Sequence, residues 1–301
     1  MKIAVAGASG LIGSALLPAL RADGHEVVQL VRRTPRTAAE HRWDPQHRRI
    51  DPALLRDVDA VVNLAGVGVG DRRWNERHKQ AVLTSRVDST ATLSQALADA
   101  VGAAPDRPRV LLNASGVGWY GDTGDRIVDE AAPAGDDFLA RVCVAWEDAT
   151  RPAADAGVRV VRLRTGLVLA RGGLLGRMLP IFRAGLGGRL GSGRQYMPWI
   201  SLYDEVAAIR FLLTRPVSGP VNLCGPEPVT NAEFTAALGR VLHRPTALPV
   251  PGPALWVVLG EFAQVGALAG QRAVPAELTG AGFRFRHADV DAALRAAVAR
   301  E

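Results

Sequence analysis

Short apolar runs alternate along this chain with longer segments whose apolar residues recur at helical spacing. Ile3 to Ala6 has the length of a buried parallel strand, and Ser14 to Leu20 carries the apolar stripe of a helix. After the turn Asp23-Gly24-His25, Glu26 to Val31 reads as a second strand. Trp43-Asp44-Pro45 and Asp51-Pro52 mark a turn-rich connection with a small helix, and Asp59 to Gly66 is the next strand. Val82, Leu83, Val87, Thr90, Leu93, Ala96 and Leu97 give a period near that of a helix over Trp74 to Asp99. Pro108 to Ser115 predicts a strand, Asp136 to Ala154 a helix and Val158 to Arg164 a strand. Strand and helix in strict alternation predict the α/β class, with a doubly wound parallel sheet.

The rhythm changes from Arg171. Paired glycines bracket a helix over Leu174 to Phe182, and Gly191 to Ile200 is glycine-rich, then aromatic and polar. Asp204 is expected to cap a helix over Glu205 to Leu213, and Asn231 one running to Leu242, with the strand Pro220 to Cys224 between them. The tail predicts a helix over Leu255 to Ala269, a strand-like Gly282 to Arg286 and a terminal helix over Asp289 to Val298. The expected organisation is a nucleotide-binding lobe over residues 1–170, rejoined by 200–225, and a smaller α+β substrate lobe from 171–199 and 226–301.

The junction of the first strand and helix carries the most specific chemistry. Gly7, Gly10 and Gly13 follow the strand at spacing three, with Ser9, Leu11 and Ile12 between them. Gly7 suits a tight turn, Gly10 admits a pyrophosphate close to the backbone, and Gly13 lets helix and strand pack closely. The free amides at the helix start then hold the anion. The alternative is an empty βα turn. The second strand ends in Arg32-Arg33 where an NAD site carries an acid, and guanidinium groups bind a ribose 2′-phosphate that a carboxylate repels. These arginines favour NADP(H); the alternative is a solvated basic loop. Asn63, Ala65 and Gly66 end a strand where small residues let backbone approach the cofactor. Lys79 and Arg86, seven apart, share a helix face, either as a solvated stripe or as cations directed at a phosphate or carboxylate.

Composition narrows the function further. The 301 residues are 48% hydrophobic and carry a net charge of +6. Of the 36 basic residues only Lys2 and Lys79 are lysines, and the rest are scattered arginines, which argues against nucleic-acid binding. Cys143 and Cys224 lie far apart without metal-ligand spacing, so no disulfide framework and no metal site is expected, in keeping with a reducing, cytoplasmic setting. No basic leader precedes the first apolar run, and Ala254 to Ala269 is too short and too interrupted to span a bilayer. The expected partner is a small molecule of unidentified structure, and the expected state is monomer or homodimer.

The assembled motifs resemble the extended short-chain dehydrogenase/reductases. Gly7-Ala-Ser-Gly10-Leu-Ile-Gly13, Asn63-Leu-Ala-Gly66, Ser115 to Gly121 and Arg164-Thr165-Gly166 occur in that family's order. Trp43-Asp44-Pro45, Trp74…Lys79…Ser85-Arg86, Gln195…Met197-Pro198-Trp199-Ile200 and Gly225-Pro226-Glu227-Pro228-Val229 narrow the resemblance. With the tail from Gly260 to Phe283, they resemble the branch called sugar-nucleotide epimerase-like or cell-division-inhibitor-like proteins. The resemblance implies a Rossmann NADP(H) lobe, with Arg86, Ser115, Gly166 and Leu167 added to the cofactor contacts. It also implies substrate contacts from Tyr120, Gln195, Met197 and Trp199.

The same resemblance exposes missing chemistry. Active members pair a tyrosine with a lysine four residues on, and the lysine lowers the phenol's pKa for proton transfer. Counting back from Glu147, those positions fall on Leu139 and Cys143; counting back from Tyr120-Gly121, the catalytic serine position falls on Gly116, with Ser115 one residue upstream. Tyr120, Ser115, Lys79 and Arg86 are therefore the candidates for a proton donor. Two functions follow: an NADP(H)-dependent reductase or epimerase-like oxidoreductase with an unusual acid, or a redox-silent NADP(H)-binding sensor.

Overall fold

A computed structural model describes residues 1–104, 107 and 109–299. In chain order it runs β1 (Lys2–Ala6), α1 (Leu11–Ala22), β2 (Glu26–Val31), β3 (Glu40–Arg42), α2 (Pro52–Asp57), β4 (Ala60–Asn63), α3 (Glu76–Ala103), β5 (Val110–Gly116), β6 (Ile127–Val128), α4 (Phe138–Asp148), α5 (Arg151–Asp155) and β7 (Arg159–Thr165). It continues through β8 (Leu167–Leu169), α6 (Gly173–Arg183), β9 (Tyr196–Met197), β10 (Trp199–Ser201), α7 (Leu202–Thr214), β11 (Gly219–Leu223), β12 (Val229–Thr230), α8 (Asn231–Leu242), α9 (Gly252–Leu259), β13 (Arg272–Ala273), α10 (Ala276–Gly280) and α11 (Val290–Val298).

Seven strands form one parallel sheet in the order β11-β7-β5-β4-β1-β2-β3. The order reverses at β1, so a crevice opens between the carboxyl ends of β1 and β4, the place where such sheets bind ligands. Alternation along β1 explains the two-sided core. Ile3 and Val5 pack toward Leu16 and Leu20 of α1 and Ile209 and Leu212 of α7. Ala4 and Ala6 face the other way, toward Leu93 and Leu97 of α3 and Leu55 of α2. A separate core joins Leu175, Leu179 and Phe182 of α6 to Phe234 and Leu238 of α8 and Leu294 of α11.

The α/β class and the doubly wound sheet match the sequence reading, and the differences lie at boundaries. Ser201, not Asp204, caps α7: its hydroxyl accepts the Asp204 amide at 3.0 Å. Asp204 is drawn instead to the amides of Arg286 and His287, which it accepts at 2.8 and 3.1 Å. Thr230, not Asn231, caps α8, because Glu233 three residues into the helix closes a reciprocal capping box with it. The Asn231 carboxamide takes the Leu190 amide at 2.7 Å. The helix expected over 136–154 breaks into α4 and α5, and the one expected over 255–269 breaks at Gly260, whose φ of +63° no helix accommodates. Gly282 to Arg286 forms no strand; Phe283 and Phe285 stack edge-to-face at 4.9 Å instead. The three-residue β3 carries no periodic signal and was not expected. Pro108 lies outside the described residues.

One buried acid gives the fold a pH signature. Glu205, in the first turn of α7, is fully buried and accepts the Thr165 hydroxyl at 3.0 Å, while its second oxygen has no partner among the described residues. Burial pushes its carboxyl from the usual 4.5 up to about 8. The native state therefore holds a proton that the unfolded chain releases. This contribution to stability is full below about 4.5 and is lost as pH rises through about 8. Glu205→Gln is expected to stabilise the protein at about pH 9 and to change little at about pH 5, read from denaturant midpoints at the two pH values.

Candidate functional site

The carboxyl end of β1 leads into a tightly packed backbone turn. Gly7 has φ +77°, and a Cβ there would lie 2.6 Å from the Leu64 carbonyl and 2.9 Å from the Ala65 amide nitrogen. The turn following β1 thus presses directly on the turn following β4, across the switch point of the sheet. A Cβ on Gly13 would strike the Gly7 carbonyl and Ala8, so the first turn of α1 needs that glycine to sit against β1. Gly10 is the helix cap. It has no side chain to satisfy the first amides of α1, and a Cβ on it would meet little beyond the Gly7 oxygen. The uncapped amides of α1 and the dipole behind them make a ready-made anion site. Ser9 is exposed beside it. Leu11 packs against the Gly172-Gly173 turn, which approaches over the start of the helix.

The two arginines after β2 have different surroundings. Arg33 donates to both oxygens of Glu40 at 2.6 and 2.8 Å. That pairing, with the Arg36 amide, holds the Glu40 carboxyl down at about 2. Arg32 is exposed and makes no ion pair or side-chain hydrogen bond among the described residues. The sequence treated the pair as one clamp; the structure leaves Arg32 free and ties Arg33 to β3.

Asn63 is fully buried and its polar atoms are spent internally. Its amide nitrogen donates to Thr90 at 3.0 Å and to Asn113 at 2.8 Å, and its oxygen receives the Ala65 amide at 3.2 Å. It shapes the loop after β4 rather than reaching outward. Gly66 backs onto the Arg86 guanidinium, 3.3 Å from a Cβ position there. Arg86 donates to the Val67 and Val82 carbonyls at 2.8 and 3.0 Å and lies 4.8 Å from the Trp146 ring centroid. No carboxylate pairs with it among the described residues, and burial pulls its guanidinium below the usual range. An uncompensated cation at the switch point suits an anionic ligand.

The end of β5 places the remaining candidates. Cys143 lies beneath Gly116, with its thiol 3.5 Å from the Gly116 carbonyl, and burial pushes that thiol up to about 11. Leu139 lies 3.3 Å from a Cβ position on Gly118. This corner holds a leucine, a neutral thiol and two glycines, and offers no titrating group near neutral pH. The Ser115 hydroxyl donates to Glu147 at 2.7 Å. Glu147 also binds Arg164 through both oxygens at 2.8 and 3.0 Å. The Arg164 guanidinium lies 3.9 Å from the Trp119 ring centroid and donates to the Tyr120 hydroxyl at 3.1 Å. Tyr120 is 2% exposed, donates to Asn222 at 2.7 Å, and is pushed by burial up to about 12. Ser115 and Tyr120 therefore share one closed polar cluster that holds β5, β7 and β11 together, while Lys79 stands apart, paired with Glu261 at 3.1 Å.

The residues expected to meet a substrate are held within the protein. Trp199 is 1% exposed, donates to the Glu227 carbonyl at 3.1 Å and packs on Gly225. Met197 is buried in the same core, and Gln195 donates to the Leu190 and Ala267 carbonyls. Trp199 and Met197 are buried and Gln195 is half-buried. Gly166 is required by the Pro198 carbonyl beside it, and Leu167 donates its amide to that same carbonyl at 2.7 Å. Sequence reasoning missed Arg164 and Asn222 as partners of Tyr120; the Tyr120–Asn222 pair lies 102 positions apart and leaves no local signal.

The polar cluster is expected to be structural. Glu147→Ala leaves Arg164 buried without its counter-charge and should cost about 3–5 kcal/mol, whereas Tyr120→Phe should cost about 1–3 kcal/mol. Both are measured by chemical denaturation.

Comparison with known proteins agrees with this geometry. Residues 250–297 match a domain of unknown function, DUF1731. The epimerase family protein Mb2239 of Mycobacterium bovis is 55% identical over 99% of this chain and 98% of its own length. The crystal structure of human epimerase family protein SDR39U1 with NADPH superposes with a TM-score of 0.87 at 36% identity, covering 98% of each chain. The Thermus thermophilus UDP-glucose 4-epimerase complex with NAD, at 19% identity and a TM-score of 0.74 over 98% of this chain, shares the fold. Residues 3–224 match the NAD dependent epimerase/dehydratase family, and the chain belongs to that family.

Proposed function

We propose that the protein binds NADP(H) across the β1–β4 crevice and acts as a reductase or epimerase-like oxidoreductase on a small polar substrate. The observation that carries this reading is the uncapped start of α1 held against β1 by Gly7 and Gly13. The amides following Gly10 would take the diphosphate, and Arg86 would add a fixed positive charge from the opposite wall. Arg32 would take the ribose 2′-phosphate, in keeping with the NADPH bound by the human relative. When bound, the nicotinamide supplies or accepts a hydride; the chain holds and orients it.

A second reading is favoured by a specific observation. Leu139, Cys143, Gly116 and Gly118 provide no acid beside the end of β5, and Tyr120 and Ser115 are bound into the polar cluster. A redox-silent NADP(H) sensor needs nothing more. Single-turnover oxidation of bound NADPH across a panel of carbonyl compounds and activated imines separates the two readings. Oxidation with any of them supports the enzyme, and none across the panel supports the sensor.

The cofactor preference has its own test. Arg32→Ala should weaken NADPH binding by about 1–3 kcal/mol and leave NADH nearly unchanged. Glu40→Gln should free Arg33 and tighten NADPH relative to NADH. Isothermal titration with both cofactors checks each variant, and parallel changes for the two cofactors refute the assignment.

A further inference from the structure

The stretch from Val250 to Gly270 is fastened at its two ends and lightly held between them. At one end Val250 donates to the Arg189 carbonyl and accepts from Gly191, both at 2.8 Å. At the other, the Gly270 carbonyl accepts the Thr123 amide at 2.9 Å, and β13 pairs with β6 just beyond. Between these anchors Leu255 and Ala263 are the buried apolar side chains. Trp256, Val257 and Val258 of α9 are 58, 68 and 71% exposed. The backbone changes course at Gly260 and passes through a π-helical turn over Ala263–Ala267.

The middle of this stretch rests on the loop that follows β4, which borders the crevice, and on the start of α3. Glu261 accepts from Lys79 of α3 through both oxygens at 3.1 and 3.2 Å. Phe262 lies 5.3 Å from the Trp74 ring, which meets Phe138 edge-on at 5.0 Å. Phe138 opens α4, the helix that carries Leu139 and Cys143 under the end of β5. Gln195 adds one bond to the Ala267 carbonyl at 3.1 Å. An exposed ion pair and one tilted aromatic contact contribute little, and segments with so few buried contacts open far below the cost of global unfolding.

We propose that residues 251–269 form a strap, latched by Lys79–Glu261 and Trp74–Phe262, that lifts from the mouth of the crevice to admit its ligand and closes over it. The location of the ligand rests on the reading of the β1–β4 crevice given above; the motion of the strap does not. Both latch partners on the sheet body stand within one turn of the start of α3 or just ahead of it, so ligand entry and strap opening share one edge. Lys79 also pairs with Glu76 at 3.3 Å, so it stays partnered on α3 when the strap lifts.

Hydrogen exchange followed by mass spectrometry on the full chain tests this. Without ligand, strap amides should exchange faster than those of α8, and saturating NADPH should slow them. Glu261→Gln should speed strap exchange by up to about fivefold, the scale of an exposed ion pair, and leave α8 unchanged. Stopped-flow displacement should show faster NADPH release from Glu261→Gln. Strap exchange as slow as that of α8, or insensitive to both Glu261→Gln and Phe262→Ala, overturns the proposal, as does an unchanged release rate. Failure of every protein to bind NADPH removes the cofactor reading, while the ligand-free comparison still decides whether the strap opens.

Discussion

The fit of three side-chain-free positions between β1 and α1 is the constraint on which the rest depends. Gly7 lets the chain turn hard against Leu64 and Ala65, and Gly13 lets α1 settle on that turn. The consequence is electrostatic as much as steric. The amides at the start of α1 have no side-chain cap, so the helix presents its positive end to the crevice. The same close approach brings the loop after β4 into line, which sets Gly66 against Arg86. One packing requirement therefore assembles donors from two parts of the chain at a single switch point of the sheet.

A second arrangement has taken over the end of β5. Four polar side chains, Ser115, Tyr120, Glu147 and Arg164, are turned into the protein and satisfy one another. Buried ion pairs of this kind contribute more to fixing one geometry than to net stability, because desolvation offsets much of their attraction. Here the pair locks β5 and β7 to Asn222 of β11, and Asn222 in turn donates to the Val274 carbonyl of the C-terminal segment. What faces the crevice instead is small or apolar. The C-terminal segment thus meets the sheet body twice, through this internal bond and through the contacts of Glu261 with Lys79 and Phe262 with Trp74.

Much of this was legible in the residues. The strand-glycine-helix junction is local, so its spacing reports its geometry directly, and the strand–helix alternation specified the sheet. The helix caps were less accessible: Ser201 and Asp204 both suit a cap, and only the pull of the Arg286 and His287 amides on Asp204 decides between them. The resemblance implies a substrate contact from Trp199, and what the residues do not tell is that it opens β10 with its indole packed on Gly225. The separate fates of Arg32 and Arg33 turn on Glu40, which belongs to a strand of only three residues. Long-range pairs such as Tyr120–Asn222 and Lys79–Glu261 lie beyond any periodic pattern.

The central claim concerns Gly10, where a side chain would enter the anion site without clashing with the fold. Its φ of −76° suits any residue, and a Cβ would meet little but the Gly7 oxygen at 3.3 Å. Calorimetric titration of NADPH into Gly10→Val is therefore the most direct measurement. The account predicts a folded protein, less stable by about 1 kcal/mol from the poorer cap, in which NADPH affinity has fallen at least about tenfold. A Gly10→Val protein that binds NADPH as tightly as the wild type would contradict it.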